Sequence, residues 1–304
     1  MNLYKKFIPK KIRFSILRLL KFVPDKQMII FQYYVKLKRK PNLDNPQRYT
    51  EKIQWYKLNY RNNEMPICVD KYRVREYLHR KGLDDILVKL YAVYDKAEDI
   101  AIEDLPEKFI LKTTNGSGTN IICRDKSKFD EHMLKEQVAV FLKQSSASAG
   151  REWAYSRVQP KIIIEELLED PSIPDGSLND YKFLCFNGKP EYIVLDVDRF
   201  TNHKRNIYDT QWNNLHITSD CPCADDSYPP PENLSKMLHI AEQLCKDFPA
   251  VRVDLYSVDA KVYFGELTFF PWSGYVQYTP DSFDYEMGEK FILPGIRNDD
   301  INNP

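Results

Sequence analysis

The stretch AVRVDLYSVDAKVYFGELTFFPWSG, residues 250–274, decides how this chain is read. Val251, Val253 and Leu255 alternate with Arg252, Asp254 and Tyr256, the period-two pattern of a strand with one apolar and one polar face. A second run repeats it, with Gly265, Leu267 and Phe269 on one side and Glu266 and Thr268 on the other. A turn centred on Ala260 sets Asp254 opposite Glu266 and Arg252 opposite Thr268. Carboxylates facing each other on a sheet repel and weaken the pairing, and a divalent cation between them reverses that sign. Hard oxygen donors in small number are what magnesium takes while keeping positions for water and phosphate. Arg252, on the same face, can neutralise an anion held by that metal. The plainer alternative is a hairpin whose carboxylates both point into water.

Strands also fit residues 108–113, 162–167, 181–186 and 192–197, and helices fit 50–60, 70–81, 128–143 and 231–247. Asp70 is placed to cap the second of these helices and Gly82 to stop it. Strands mixed with helices and mostly joined by hairpin-like turns predict an α+β fold rather than a doubly wound parallel sheet.

The 304 residues balance 44 Lys and Arg against 44 Asp and Glu, an ordinary globular composition without a solenoid-length repeat. The balance is uneven along the chain. Residues 1–40 hold twelve Lys and Arg against Asp25 alone, so the remainder is acidic by as much. No apolar run is long enough for a bilayer, and the basic start lacks the features of a signal peptide, which points to the cytoplasm. Residues 12–23 mix Phe14, Ile16, Leu17, Leu20 and Val23 with Arg13, Arg18 and Lys21, as an amphipathic helix with a basic rim does. Such a helix either docks on the body of the protein or makes peripheral contact with an anionic membrane or acidic polymer. Cys68, Cys123, Cys185 and Cys245 are scattered singly, as reduced cysteines are, and Cys221 and Cys223 form a CxC without a second ligand pair at zinc spacing.

Two further segments bear on chemistry. FILKTTNGSGTNII, residues 109–122, is a strand, a loop with Gly116 and Gly118, and a second strand. Glycines let backbone N–H groups converge on phosphate oxygens, and Lys112 adds a positive charge. No Gly-Lys-Ser/Thr follows, so this is not a Walker loop, and an ordinary hairpin turn is the alternative. KIIIEELLED, residues 161–170, ends an apolar strand in Glu165 and Glu166. There the backbone can meet an adenine and a carboxylate the ribose, or the strand simply leaves the core.

In order, YTEKIQWYKL, DKYRVREYL, LPEKFILKTTNGSG, REWAY, KIIIEELL, DYKFLCFNGKP, FPAVRVDLY and FGELTFFPWSG resemble the ATP-grasp superfamily over residues 49–288. The likeness is to its TupA-like branch, associated with teichuronopeptide and other bacterial surface polysaccharides. It implies a helical N-terminal segment (1–69), then two α+β lobes clasping ATP (70–166 and 167–304). By resemblance, Lys71 and Lys112 are the nucleotide lysines, and Asn115, Gly116, Ser117 and Gly118 the phosphate loop. Glu165, Glu166, Leu167 and Leu168 are the adenine hinge, with Asp180 or Lys182 near the ribose or phosphates. Asp254 and Glu266 match the Mg²⁺ ligands, Arg252 the arginine at the reacting acyl centre, and Thr268 stands where many relatives carry a metal-binding Asn. The implied activity is ATP-dependent amide formation through an acyl phosphate, with Arg252 and Lys112 in catalytic roles. A hexuronic acid would give the carboxylate and an amino acid the amine; nucleic acid is not an expected partner.

Candidate substrate contacts are Trp272, Ser273 and Gly274, and Arg199, His203, Lys204 and Arg205 in a basic loop. Trp153 and Tyr155 can stack on a ligand or pack a core. The rival function is a glycosyltransferase, since YIVLDVD ends in Asp196 and Asp198, a DxD spacing. Against it, strands and helices do not alternate from the N-terminus. An inert scaffold is a third possibility.

Overall fold

The computed structural model describes residues 20–116, 118–128, 130–143, 150–173, 176–198, 201–224 and 228–295. In chain order these form α1 (Asp25–Leu37), α2 (Tyr49–Asn59), α3 (Glu64–Val69), α4 (Val74–Arg80), β1 (Leu90–Tyr94), β2 (Phe109–Thr113), β3 (Asn120–Cys123), α5 (Glu131–Leu142) and α6 (Trp153–Ser156). There follow β4 (Ile162–Glu165), β5 (Asp180–Phe186), β6 (Lys189–Val197), β7 (Lys204–Tyr208), α7 (Leu234–Cys245), β8 (Ala250–Val258), β9 (Lys261–Thr268) and α8 (Ser282–Lys290).

The strands make two sheets, β1-β4-β2-β3 and β7-β6-β5-β8-β9, and each of their pairings is antiparallel. The α+β expectation therefore holds. Leu134 and Val138 of α5 pack with Phe109, Leu111, Ile162 and Ile164 into the core of the smaller sheet. Met237, Ile240, Ala241 and Leu244 of α7 belong to a larger core with Phe183, Ile193, Val253 and Leu255 of the second sheet. Tyr49, Ile53 and Tyr56 of α2, Met65 of α3 and Tyr77 of α4 join that larger core, so α2, α3 and α4 pack with the five-stranded sheet.

Local chemistry explains the helix starts. The Asp130 carboxylate accepts from Met133 N at 2.9 Å ahead of α5. Asp70 accepts from Tyr72 N and Arg73 N at 2.8 and 3.1 Å, holding one turn before α4 begins at Val74. Beside α2, Glu51 accepts from the backbone of Asn42, Gln47 and Arg48, and Lys52 Nζ donates to the carbonyls of Gly288 and Phe291 at the end of α8. Most of the helix expected at 12–23 lies outside the described residues; Leu20–Phe22 is a 3-10 turn leading into α1. One expectation fails: Lys204 and Arg205 are not in a loop but open the edge strand β7.

Candidate active site

The β8–β9 hairpin sets the register. Near its tip Leu255 faces Phe264 and Val258 faces Lys261, so the turn is Asp259 and Ala260, at φ 49° and 55°. Further along, Arg252 faces Thr268 and Asp254 faces Glu266. Between these stretches the pairing slips by one residue and Gly265 is left over, a β-bulge. A Cβ at Gly265 would sit 3.0 Å from the Asp254 carbonyl oxygen, so the bulge takes glycine. The slip puts Val262, Phe264 and Leu267 in the core together and turns Glu266 to the polar face. The expected pairs are present, though the turn is centred between Asp259 and Ala260.

That polar face continues across all five strands. Arg205 faces Asp196, Asp196 faces Asp180, and Lys182 faces Asp254. Arg205, Asp196, Asp180, Lys182, Arg252 and Asp254 are all buried. Arg205 Nε and Nη2 donate to the two Asp196 oxygens at 2.6 and 3.2 Å. Lys182 Nζ lies 3.2 Å from Asp180 Oδ2, 3.3 Å from Asp196 Oδ2 and 3.9 Å from Asp254 Oδ2. Arg252 holds Asp254 through Nε and Nη2 at 2.6 and 2.7 Å, and Nη2 also reaches Glu266 Oε1 at 2.8 Å. Burial opposes ionisation of Asp196, but Lys182 and Arg205 outweigh it and hold the carboxyl far below its usual range. Asp254 moves the other way, to about 6, because burial and Glu266 outweigh Arg252 and Lys182.

Arg252 adds a cation that the sequence reading did not place there: its guanidinium bonds both Asp254 and Glu266 and offsets part of their repulsion. The donor set still fits magnesium in kind: two hard carboxylates on one face, with the Glu266 side chain 39% exposed and its Oε2 unpaired among the described residues. Thr268 is engaged, its hydroxyl donating to Glu266 Oε1 at 3.1 Å and accepting from Arg252 at 3.2 Å, so it orients Glu266. Among the described residues no three His, Cys, Asp or Glu side chains are grouped to hold a metal. Arg252 Nη1 has no partner among the described residues and is available to an anion.

Two lysines come from elsewhere in the fold, Lys71 from the turn between α3 and α4 and Lys112 from β2 of the smaller sheet. Lys71 Nζ donates to the Gly116 carbonyl in the glycine loop. Burial lowers its pKa, with Glu266 opposing and Lys112 adding to the shift, so Lys71 lies in the field of both sheets. Lys112 Nζ is 2.8 Å from Glu165 Oε2, and Arg75 Nη1 is 3.3 Å from the other oxygen of Glu165. The expected hinge glutamate is thus held by two cations. Glu166, Leu167 and Leu168 follow the end of β4, and Glu166 N donates to Lys89 O at 2.9 Å. Asn115 is buried beside the loop; Ser117 lies outside the described residues.

Trp272, Ser273 and Gly274 form a turn of three successive left-handed residues, at φ 48°, 58° and 64°. Two of them carry side chains, so neighbours must hold the turn in place. The holder, missed in the sequence, is Lys57 of α2. Its Nζ donates to Ser273 O at 2.8 Å, Gly150 O at 3.0 Å and Gln54 Oε1 at 3.1 Å. Gln54 Nε2 donates to the carbonyls of Ser273 and Gly274, and Ser273 Oγ donates to Glu152. Burial pushes Lys57 down to about 7 and Glu152 up. So held, the Trp272 ring lies 5.2 Å from the Arg252 guanidinium and 4.7 Å from that of Arg205.

The sequence profile of the TupA-like ATPgrasp family matches residues 51–292. The chain belongs to this family. Its two antiparallel sheets and their helices are an ATP-grasp fold. No curated protein matches the sequence. Among solved structures, D-alanine–D-alanine ligase from Bacillus anthracis in complex with ATP is 16% identical at TM-score 0.38, over 67% of this chain and 54% of that one. The corresponding ligase from Helicobacter pylori is 13% identical at TM-score 0.39, over 82% and 67%. Phosphoribosylamine–glycine ligase from Thermotoga maritima is 11% identical at TM-score 0.41, over 67% and 48%. The chain spans about half the length of the first and the last of these.

In this TupA-like ATP-grasp protein the remaining candidates are distributed as follows. Arg199 lies outside the described residues. Arg205 is not solvated but locked on Asp196, whose Oδ1 also lies 3.0 Å from His203 Nε2. That occupancy removes the support for a metal-binding DxD at Asp196 and Asp198. The Cys221 and Cys223 thiols donate to the carbonyls of His203 and Ile217, as structural thiols do. Trp153 packs against the larger core with Arg61 over its ring at 4.9 Å. Tyr155 packs against the same core, and burial with the Glu266 and Glu152 charges pushes its phenol up.

Proposed function

We propose that this protein is an ATP- and magnesium-dependent carboxylate–amine ligase that joins an amino acid to a hexuronic acid in a bacterial surface polysaccharide. The observation that carries this reading is Arg252. Two of its nitrogens bind Asp254 and Glu266 while Nη1 is left for an anion, and Glu266 also feels the charges of Lys71 and Lys182. Burial would raise the Glu266 pKa, but Arg252, Lys71 and Lys182 lower it, so the carboxylate stays charged for cation binding.

In the reaction, an oxygen of the substrate carboxylate attacks the γ-phosphorus of ATP and the bond to the bridging oxygen breaks, giving acyl phosphate and ADP. Lys71 and Lys112 neutralise charge along the phosphates. The amine nitrogen then attacks the acyl carbon, Arg252 Nη1 stabilises the oxyanion, and phosphate leaves as the nitrogen loses its proton. A magnesium ion held by Asp254 and Glu266 would supply charge neutralisation at the transferring phosphoryl group. For the substrate acid, Arg252 Nη1 offers charge close to the Trp272 ring, a combination suited to a sugar that bears a carboxylate.

The test is to incubate the protein with Mg-ATP, uronic acids and pooled amino acids and to follow ADP. Release that requires both an acid and an amine supports ligation. Release of a nucleoside diphosphate from a sugar nucleotide, with ATP intact, overturns it.

A further inference from the structure

The helix α1 has two faces of different character. Met28, Ile29, Tyr33 and Leu37 are buried against the body. On the outside, Phe31 and Tyr34 are 58% and 59% exposed, and Phe22, on the turn just before, is 81% exposed. These three rings fall within residues 22–34, while the other large exposed hydrophobics among the described residues, Met133, Val140, Tyr285 and Ile292, are scattered. Lys26, Lys38 and Lys40 are exposed around the rings. Two carboxylates meet cations at this end of the chain, Asp25 paired with Arg151 and Asp44 3.7 Å from Lys26.

We propose that the outer face of α1, with the cationic stretch preceding it, docks this protein on an anionic lipid bilayer. Charge and rings together select that occupant. Residues 1–40 carry twelve cations and one carboxylate, which anionic headgroups attract, and aromatic rings settle at the headgroup level. An acidic polymer would take the cations and leave three rings in water. A second copy would bring two cationic surfaces together.

The opposite, packed face of α1 is fastened to the candidate site. The Tyr33 ring meets Tyr275 edge-on at 6.4 Å, and Lys36 Nζ lies 3.8 Å over the Tyr275 ring, one residue beyond the Trp272–Gly274 turn. Arg151 ties the base of the helix to the same region, through Asp25 at 2.9 Å and the Leu20 carbonyl at 2.8 Å. The helix that meets the bilayer with its outer face thus touches, with its packed face, the residue that follows the Trp272–Gly274 turn. None of this depends on the ligase reading.

The full chain is sedimented with vesicles of phosphatidylcholine, with and without phosphatidylglycerol, over a range of salt. Binding is expected only with phosphatidylglycerol and weakens as salt rises. Phe31→Ser with Tyr34→Ser lowers the partition coefficient about tenfold, and Lys38→Gln lowers it roughly fivefold. These positions are exposed, so melting curves stay within a degree or two of wild type, roughly. The proposal is overturned if the anionic vesicles leave the protein in the supernatant. It also fails if binding survives loss of both rings and is competed away by polyglutamate, the polymer outcome. Dimerisation that vanishes with the rings, without vesicle binding, would assign the face to a second copy and overturn it equally.

Discussion

In the four-stranded sheet, Glu165 meets Lys112 and Arg75 where the two cations keep 20% and 22% of their side chains exposed. In the five-stranded sheet, Arg205, Asp196, Lys182 and Asp254 meet with all four buried. Cations that keep some contact with water can change partners at less cost than fully buried ones. Buried ones cannot, because each depends on its neighbours for the charge compensation that water no longer supplies. One sheet thus offers adjustable charges, and the other a fixed electrostatic frame in which Arg252 and Glu266 are held ready.

The contrast breaks most easily at Asp196. Asp196→Asn leaves Arg205 and Lys182 buried without their shared carboxylate, and urea unfolding should lose about 3–5 kcal/mol; a loss under about 1 kcal/mol would mean the frame is not a frame. The same side chain sets an acid response. Its folded pKa lies below the ordinary 3.8, so its contribution is present above that value and fades as pH falls through the folded pKa. Melting temperature should therefore drop with acidification more steeply in wild type than in the Asn variant.

Glu266→Gln acts on function alone. ADP release should fall about a hundred- to a thousandfold while the melting curve stays near wild type, and unchanged turnover would place the cation elsewhere. Gly274→Ala is smaller, about 1–3 kcal/mol, because a left-handed residue gains a Cβ 2.5 Å from Gln54 Nε2. A neutral result would show that the turn relaxes without the α2 clamp. In the other sheet, Glu165→Gln should cost less than the change at Asp196, about 1–3 kcal/mol in chemical unfolding, because Lys112 and Arg75 keep access to water, and a loss as large as that at Asp196 would erase the difference between the sheets.

Much of this was legible because alternation is local. The pairs Asp254–Glu266 and Arg252–Thr268 follow from period-two reading within one hairpin, and the glycine loop between β2 and β3 from composition. What failed was non-local or compensated. Asp259 and Ala260 carry no glycine to mark a turn with two positive φ values, so the reading that centres the turn on Ala260 misses both its true centre and the bulge at Gly265 that restores the pairs. Arg205 sits in a cluster of charges that reads as solvated, and only its pairing with Asp196 across β6 and β7 makes it internal. Lys57 and Glu152 look like surface charges until folding brings them together around Ser273. β1 was missed, since each of its five residues is only partly buried and its apolar pattern is weak.

The unpaired Gly265 divides β9 into two segments of opposite parity. Before it, the even-numbered Val262 and Phe264 face the core; after it, the odd-numbered Leu267 does. Errors of counting should therefore do more harm here than errors of chemistry. Loss of one residue between Lys261 and Gly265 would swing Glu266 into the apolar layer and bring Leu267 out among the carboxylates. A lineage can vary the side chains of that short stretch, but its length is as constrained as any catalytic group.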